Sequence, residues 1–368
     1  MRLLYITPYV EGVGGVPRVL SVKTNYLINK WNYDISILAT NSGTTNTFYD
    51  FNEKIHFHSE KAIGKNLVYI YNYSKIINKY IELIKPDIVI VCDNGFKGYC
   101  VPFLLSKDIK IIFENHATKY IVDKKDTLIS RFLNIGRFKF YDICVSKYDK
   151  CVILVKESKK EFTSDNLVLI PNALWFSTDK KAELNNKKVI AIGRHSYEKG
   201  FDRMLDIWKK TIVNYPDWTL DIYGKSNTEI DLEDYAKKIG VQKKVSFYGN
   251  FDEIIDKYLN GSIYIMTSNY EGFGMVLIEA MAFGLPVIAY DCPVGPSSVI
   301  TNNVDGYLIE NGNEELFVKK LSALMGNQDL RKQLGQNGQE SVLRFDLDTI
   351  MNQWKSLFED LAKNNSIF

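Results

Sequence analysis

The chain has 368 residues, of which 46% are hydrophobic and 24% charged, with a formal net charge of +2. This composition excludes a largely disordered chain and fits two domains or one large one. The five cysteines, Cys92, Cys100, Cys144, Cys151 and Cys292, are odd in number and show no C-x-x-C spacing, which argues against a disulfide framework and a Cys-based zinc site.

In chain order, β-rich runs alternate with helical segments, the α/β signature. In the first half the predicted strands are Arg2–Thr7, Asp34–Thr40, Asp87–Cys92, Lys110–Asn115 and Lys150–Val155. Val and Ile dominate several of them, as in parallel strands buried on both faces. The helices between them are predicted at Val16–Lys30, Leu67–Ile84 and Phe132–Ser146. A short run, Leu167–Asn172, precedes a polar linker, and the pattern then restarts. Strands are expected at Lys187–Gly193, Thr219–Tyr223, Val245–Tyr248, Ile263–Ser268, Pro286–Asp291 and Gly306–Ile309. Helices are expected near Phe201–Asn214, Leu232–Gly240, Asp252–Leu259, Met275–Phe283 and from about Glu314 onward, and Asn364–Phe368 are expected to fray.

The division expected is 1–170 as a first Rossmann-like domain, 171–186 as linker, 187–345 as a second, and 346–368 as a helix packing back on the first. Ligands of open parallel sheets bind at the carboxyl ends of the strands. Two such sheets are expected to face each other across a cleft.

No run approaches the ~18 apolar residues needed to span a bilayer. The apolar run Leu3–Val10 contains Thr7 and Pro8, ends at Glu11 and lacks a small-residue cleavage site, so no signal peptide is expected. A cytoplasmic protein follows as the expectation, free or on the cytoplasmic face of a membrane. The first 170 residues carry 24 Lys and Arg against 17 Asp and Glu, and the remainder 22 against 27. A basic first half points to an anionic surface or a phosphorylated acceptor.

After the first strand comes Gly12-Val13-Gly14-Gly15-Val16-Pro17. The dinucleotide fingerprint G-x-G-x-x-G needs a glycine where Pro17 stands, and no acid follows the second strand, so a nicotinamide or flavin enzyme is disfavoured. Glycines still let backbone approach a ligand, and Pro17 suits a first helical turn whose N-terminus favours an anion.

Residues 269–284 carry the stronger signal. Glu271, Gly272, Phe273 and Gly274 sit between a strand and a helix expected to begin near Met275 and end at Gly284. Gly272 and Gly274 form a bare loop feeding a helix N-terminus, a phosphate cradle in physical terms. Glu279 lies one turn into a nearly all-apolar helix, where an unpartnered carboxylate costs several kcal/mol. It needs donors, which ribose hydroxyls or a buried protein partner supply. Arg194 and Lys199 follow another strand and can clamp a diphosphate, one as a fork and one as a point charge.

These residues resemble family-4 glycosyltransferases of the GT-B fold over nearly the whole chain. The resemblance lies in Gly14-Gly15, His116, Pro171-Asn172, Gly193-Arg194, Lys199-Gly200 and the E-x7-E motif from Glu271 to Glu279. Asp291 to Pro296 is similar to bacterial members that build surface polysaccharides. The sequence departs from the family pattern at Pro17 and Ser298, where many members carry an acid. The resemblance implies retaining transfer from a nucleotide sugar, with uridine the preferred nucleoside, to a glycan or polyprenyl-linked acceptor. It implies that Arg194 and Lys199 neutralise the diphosphate, Glu279 holds the ribose, and Glu271 contacts the sugar. Gly14 and Gly15 would let their loop close on the diphosphate, and His116 would face the sugar. Gly272, Phe273 and Gly274 complete the expected donor loop. With no His/Cys ligand cluster in the sequence, no metal or other cofactor is expected.

An epimerase or phosphorylase of the same fold, and a non-catalytic nucleotide-sugar-binding module, are the competing readings. Residues Lys119–Lys150 hold eight Lys and Arg against four Asp, with Phe132, Phe138, Phe140 and Tyr141 interleaved, a membrane-surface pattern. Docking on an anionic membrane is expected there, whereas nucleic-acid binding is not, since the chain is nearly neutral and shows no binding motif.

Overall fold

The computed structural model describes residues 1–42, 44–119, 128–226, 231–249 and 254–363, with backbone only at 128–133. The chain divides into two compact units, Met1–Trp175 with Leu347–Phe368, and Phe176–Asp346.

The first unit runs β1 (Arg2–Thr7), α1 (Gly15–Trp31), β2 (Asp34–Ala39), β3 (His56–Ser59), α2 (Asn66–Ile84), β4 (Ile88–Val91), α3 (Phe96–Cys100), β5 (Lys110–Asn115), α4 (Leu128–Val145), β6 (Lys150–Ile153) and β7 (Leu167–Leu169). The second runs β8 (Lys188–Ile192), α5 (Phe201–Ile212), β9 (Thr219–Tyr223), α6 (Leu232–Ile239), β10 (Val245–Tyr248), α7 (Ile254–Leu259), β11 (Ile263–Met266), α8 (Met275–Ala282), β12 (Val287–Asp291), α9 (Pro296–Val299), β13 (Gly306–Glu310), α10 (Glu314–Gly326) and α11 (Gln328–Val342). The chain then returns to the first unit as α12 (Leu347–Lys363). The start of the helix expected at Asp252, and the fraying expected at Asn364–Phe368, lie outside the described residues.

Each unit is built on one sheet, ordered β3-β2-β1-β4-β5-β6-β7 in the first and β10-β9-β8-β11-β12-β13 in the second. All strand pairs are parallel. The two orders share one logic: the chain works outward from a central strand, then jumps back beside it. The units are therefore two Rossmann-like parallel-sheet domains. Strand order reverses between β1 and β4 in one, and between β8 and β11 in the other, which is where such sheets take ligands.

Period-two alternation places side chains on both sheet faces. In the first unit Leu3, Tyr5, Ile35, Ile37 and Ile90 pack with α1 and α12, through Leu27, Trp354 and Phe358. Leu4, Ile6, Val89, Val91 and Phe113 point the other way, against Tyr73 and Ile77 of α2, Tyr99 of α3 and Cys144 of α4. In the second unit Val189, Ala191, Leu220, Ile222 and Ile265 pack with Met204 and Trp208 of α5, Ala236 of α6 and Phe317 of α10. All five cysteines are buried free thiols.

The unit boundary at Trp175 falls inside the segment 171–186. The latter part of that segment is built into the second unit. The Ala182 N–H donates to the Phe283 carbonyl (2.9 Å), and buried Arg331 donates to the Leu184 carbonyl (2.9 Å). Among the described residues, no helix is long and apolar enough to cross a membrane.

Candidate active site

The loops after β8 and β11 flank the reversal of strand order in the second unit. The first runs from Gly193 to Gly200. Its Arg194 is exposed; its carbonyl accepts from the Ser196 N–H (2.8 Å), and its guanidinium makes no hydrogen bond or ion pair with any described residue. Lys199 ends a short 3-10 turn, and its aliphatic stem lies against Gly193, where a Cβ would stand 3.4 Å from the Lys199 stem carbons. Gly200 takes a left-handed φ of 58° and caps the start of α5, and a Cβ there would fall 2.3 Å from the Thr267 carbonyl oxygen. Only glycine fits this joint.

The second loop runs from Thr267 to Gly274. Lys199 Nζ lies 2.6 Å from Glu271 Oε1, and Ser268 Oγ donates to the same oxygen at 2.7 Å. The Glu271 main chain is pinned on both sides: its N–H donates to the Pro293 carbonyl (2.9 Å), and its carbonyl accepts from Val294 N–H (3.0 Å). The structure thus brings Lys199 and Glu271 together as one ion pair, with side chains 23% and 10% exposed. Gly272 continues the loop, and Gly274 caps α8 at a left-handed φ of 91°. Phe273 is buried edge-on against Phe345, ring centroids 5.3 Å apart. Its side chain anchors the loop to the unit's interior.

Glu279 sits in α8 as the sequence requires, and is 5% exposed. It accepts a hydrogen bond from Tyr258 Oη of α7 at 2.7 Å. A protein donor therefore meets the cost of burying this carboxylate, and burial alone does not call for a ligand hydroxyl.

Arg203, in the first turn of α5, escaped the sequence reading. It donates to Asn269 Oδ1 and Asn311 Oδ1, each at 2.7 Å, and its guanidinium lies 4.2 Å from the centre of the Tyr290 ring. It ties the loop carrying Glu271 to α5 and to the turn after β13. A cation at a helix N-terminus opposes the macrodipole, and that misplacement was the available signal. His195, beside Arg194, is buried against Phe201 and Phe247, and burial lowers its pKa.

In the first unit the expected residues lie at the carboxyl edge of the sheet, close to the equivalent reversal. Gly14 caps α1, Gly15 opens it, and Gly12 holds a φ of 100°. His116 follows β5 directly, its side chain 7% exposed and its Nε2 3.4 Å from Glu114 Oε1. Its backbone N–H donates to Asn94 Oδ1 at 3.0 Å. Burial lowers the His116 pKa; Glu114 opposes this and Lys23 reinforces it.

The expected basic and aromatic surface is only partly a surface. Residues 120–127 and the side chains of 128–133, Phe132 among them, lie outside the described residues. Lys119 is buried and pairs with Asp142 at 2.7 Å. Tyr141 is buried and stacks on Tyr99 at 3.9 Å. α4 turns Tyr141 inward because the helix must cover the sheet. Phe140 stacks on Phe96 at 5.7 Å, both partly exposed.

Residues 176–341 match the family described as Glycosyl transferases group 1. The second unit is a group 1 glycosyltransferase domain. Over its length the chain is similar to an uncharacterised glycosyltransferase of Haemophilus influenzae, at 29% identity over 95% of this chain and 97% of that protein. It is likewise similar to the amylovoran biosynthesis glycosyltransferase AmsD of Erwinia amylovora, at 27% identity over 97% and 99%. A crystal structure of a mutant TarM from S. aureus, solved with Fondaparinux, alpha-GlcNAc-glycerol and UDP, superposes with a TM-score of 0.79 at 15% identity, covering 97% and 99% of the two chains. At that identity the likeness shows the fold, that of GT-B glycosyltransferases. The ion pair Lys199–Glu271, Arg194 and Glu279 all lie inside the group 1 domain.

Proposed function

We propose that the chain is a retaining glycosyltransferase. It moves a hexose or N-acetylhexosamine from a nucleotide sugar, with UDP as the carrier, to a glycan or lipid-linked acceptor in surface polysaccharide synthesis. One observation carries the reading: the loops flanking the reversal of strand order pair Lys199 with Glu271, beside exposed Arg194 and the glycine-capped start of α8. The UDP in the TarM structure supports uridine, and the naming of AmsD supports a polysaccharide product.

Glycosyl transfer breaks the bond between the anomeric carbon and the diphosphate, and the electron pair leaves with the phosphate oxygen. The acceptor hydroxyl bonds to that carbon on the same face, and its proton passes to the departing phosphate oxygen. Negative charge grows on the diphosphate as positive charge grows on the sugar. Fixed charges aimed at such growth are usually the largest catalytic contribution. Arg194, Lys199 and the main-chain N–H groups of Gly274 and Met275 supply them without a metal ion. Glu271, held by Lys199 and Ser268, faces the sugar, and Glu279, braced by Tyr258, takes the ribose. In the first unit, Gly14, Gly15 and His116 are the residues proposed for the reaction, at the carboxyl edge of their own sheet. The stereochemistry is tested by NMR of the product from an α-linked UDP-sugar. An α-anomeric signal is expected, and a β-linked product contradicts the retaining route.

We further propose that the protein docks peripherally on the cytoplasmic face of an anionic membrane through the start of α2. Ile63, Leu67, Val68 and Tyr71 are exposed there, Leu67 at 85%. Lys61, Lys65 and Lys75 are exposed among them, and no acid lies between Glu60 and Glu82. Apolar side chains interleaved with lysines fit an anionic headgroup layer, each lysine contributing about 1 kcal/mol. Flotation with phosphatidylglycerol-containing vesicles at physiological salt should carry the protein upward, and Leu67→Glu with Lys65→Glu should release it. A wild-type protein that stays at the bottom of the gradient sinks this docking.

A further inference from the structure

We propose that Glu114 and Lys23 are positioning residues that set the ring orientation and the protonated nitrogen of His116. Its functional weight rests on the reading of His116 as a residue of the transfer site.

Glu114 and His116 stand two residues apart at the end of β5, so strand alternation brings both to one side. Glu114 is 1% exposed, and its two oxygens have separate tasks. Oε2 accepts hydrogen bonds from Lys23 Nζ of α1 and from Cys92 Sγ, just after β4, the latter at 3.3 Å. Oε1 is left toward His116 Nε2, at 3.4 Å. Asn94 holds the neighbouring backbone from the other side, accepting from His116 N–H and donating to Asn115 Oδ1.

The titratable groups facing this carboxylate are Tyr5 of β1, Lys23 of α1, Cys92 just after β4, and His116 itself. Burial pushes the Glu114 carboxyl up, but Lys23 and His116, with the hydrogen bonds of Lys23 and Cys92, hold it below its ordinary value. Glu114 is therefore an anion, and its free oxygen faces His116 Nε2. Burial, its largest influence, keeps the imidazole neutral, so it carries one proton. The carboxylate places that proton on Nε2 and leaves Nδ1 as the acceptor. Lys23 is in turn enclosed, its ammonium 3.9 Å from the centre of the Trp354 ring of α12 and 5.3 Å from that of Tyr5.

A fold that needed only packing here is served as well by apolar residues, since a buried ion pair is weak evidence for stability. The donor atoms of Cys92, Glu114 and His116 lie within 4.8 Å of one another, a spacing open to a cation. The Lys23 ammonium already pairs with this carboxylate. The cluster is a relay from α1 to His116.

The chain has four histidines, so 15N-histidine NMR can resolve each ring. His116 is expected as the neutral Nε2–H tautomer through neutral pH. Lys23→Met with Glu114→Leu removes both charges together, which avoids an unpaired buried ion. That double variant should populate the Nδ1–H tautomer and lower kcat for UDP release from UDP-glucose by about tenfold or more, with KM little changed, given a general acid–base or orienting contribution of about 10²-fold. Glu114→Gln keeps an acceptor but not the charge. It should retain Nε2–H, lose less turnover than the double variant, and move the His116 titration to lower pH, because the anion raises that pKa. If the double variant does not fold, the Glu114→Gln titration decides. Unmoved His116 resonances in folded variants overturn the positioning role. Resonances that move while kcat holds confirm the positioning and refute His116 as a site residue.

Discussion

Lys199→Ala is expected to lower kcat by about 10²–10³-fold, the size seen when one fixed charge-stabilising donor is lost from a transition state. The site gives two reasons. The variant loses the ammonium proposed to receive the growing diphosphate charge. It also strips Glu271 of its 2.6 Å partner, leaving Ser268 as the side chain still donating to Oε1. A less compensated carboxylate beside the diphosphate raises the barrier further. Lys199→Arg should recover only part of the loss. A planar fork does not reproduce a stem laid against Gly193, and the two cations differ in geometry. Lys187, exposed and paired with exposed Asp217, is the control, and its removal should change kcat less than twofold on the scale of surface pairs. Steady-state kinetics with saturating UDP-sugar check this. A Lys199→Ala enzyme within threefold of wild type removes the clamp from the account.

Gly200→Ala is expected to destabilise the second unit by about 2–5 kcal/mol. A left-handed backbone costs a non-glycine residue about 1–2 kcal/mol, and a clash in a packed interior typically costs about 1–3 kcal/mol more. Both apply here, since φ is 58° and the Cβ would stand 2.3 Å from the Thr267 carbonyl oxygen. The obstacle is backbone, so no side-chain rotation relieves it. The Gly200 carbonyl also accepts from Thr267 Oγ1 at 2.8 Å, so relief means moving the Lys199 loop off β11. Calorimetry should show a fall in Tm of roughly 5–15 °C, with turnover lost in parallel even below the transition. An unchanged Tm contradicts the packing described for this joint.

What the sequence made legible follows from how local each signal is. β1, β5, β9 and β10 begin and end where their apolar runs do. α8 begins at Met275 because Gly274 alone accepts the left-handed cap. β3 was missed because His56–Ser59 is a short, half-exposed edge strand with no apolar run. α3 was missed because its five residues follow a glycine and read as loop. At the site, Lys199 and Glu271 each stood out through their glycine neighbours, but their direct pairing joins residues 72 apart. Tyr258 on Glu279 and Lys23 on Glu114 are likewise products of sheet topology, which brings distant helices over one strand end. The same limit misplaced Lys119 and Tyr141. Composition gives the aromatic and basic residues of the 119–150 segment but not the direction each one takes.

The central claim is a diphosphate clamp in the group 1 domain that needs no metal. Thermal denaturation against UDP, GDP, UDP-glucose and UDP-N-acetylglucosamine, each with and without EDTA, tests it most directly. A ligand that binds only the folded state raises stability by about 2.7 kcal/mol at a hundred times its Kd. The account predicts a rise in Tm with UDP and with one UDP-sugar, unchanged by EDTA and absent in Lys199→Ala. A rise that EDTA abolishes, or no rise with any nucleotide across the panel, contradicts it.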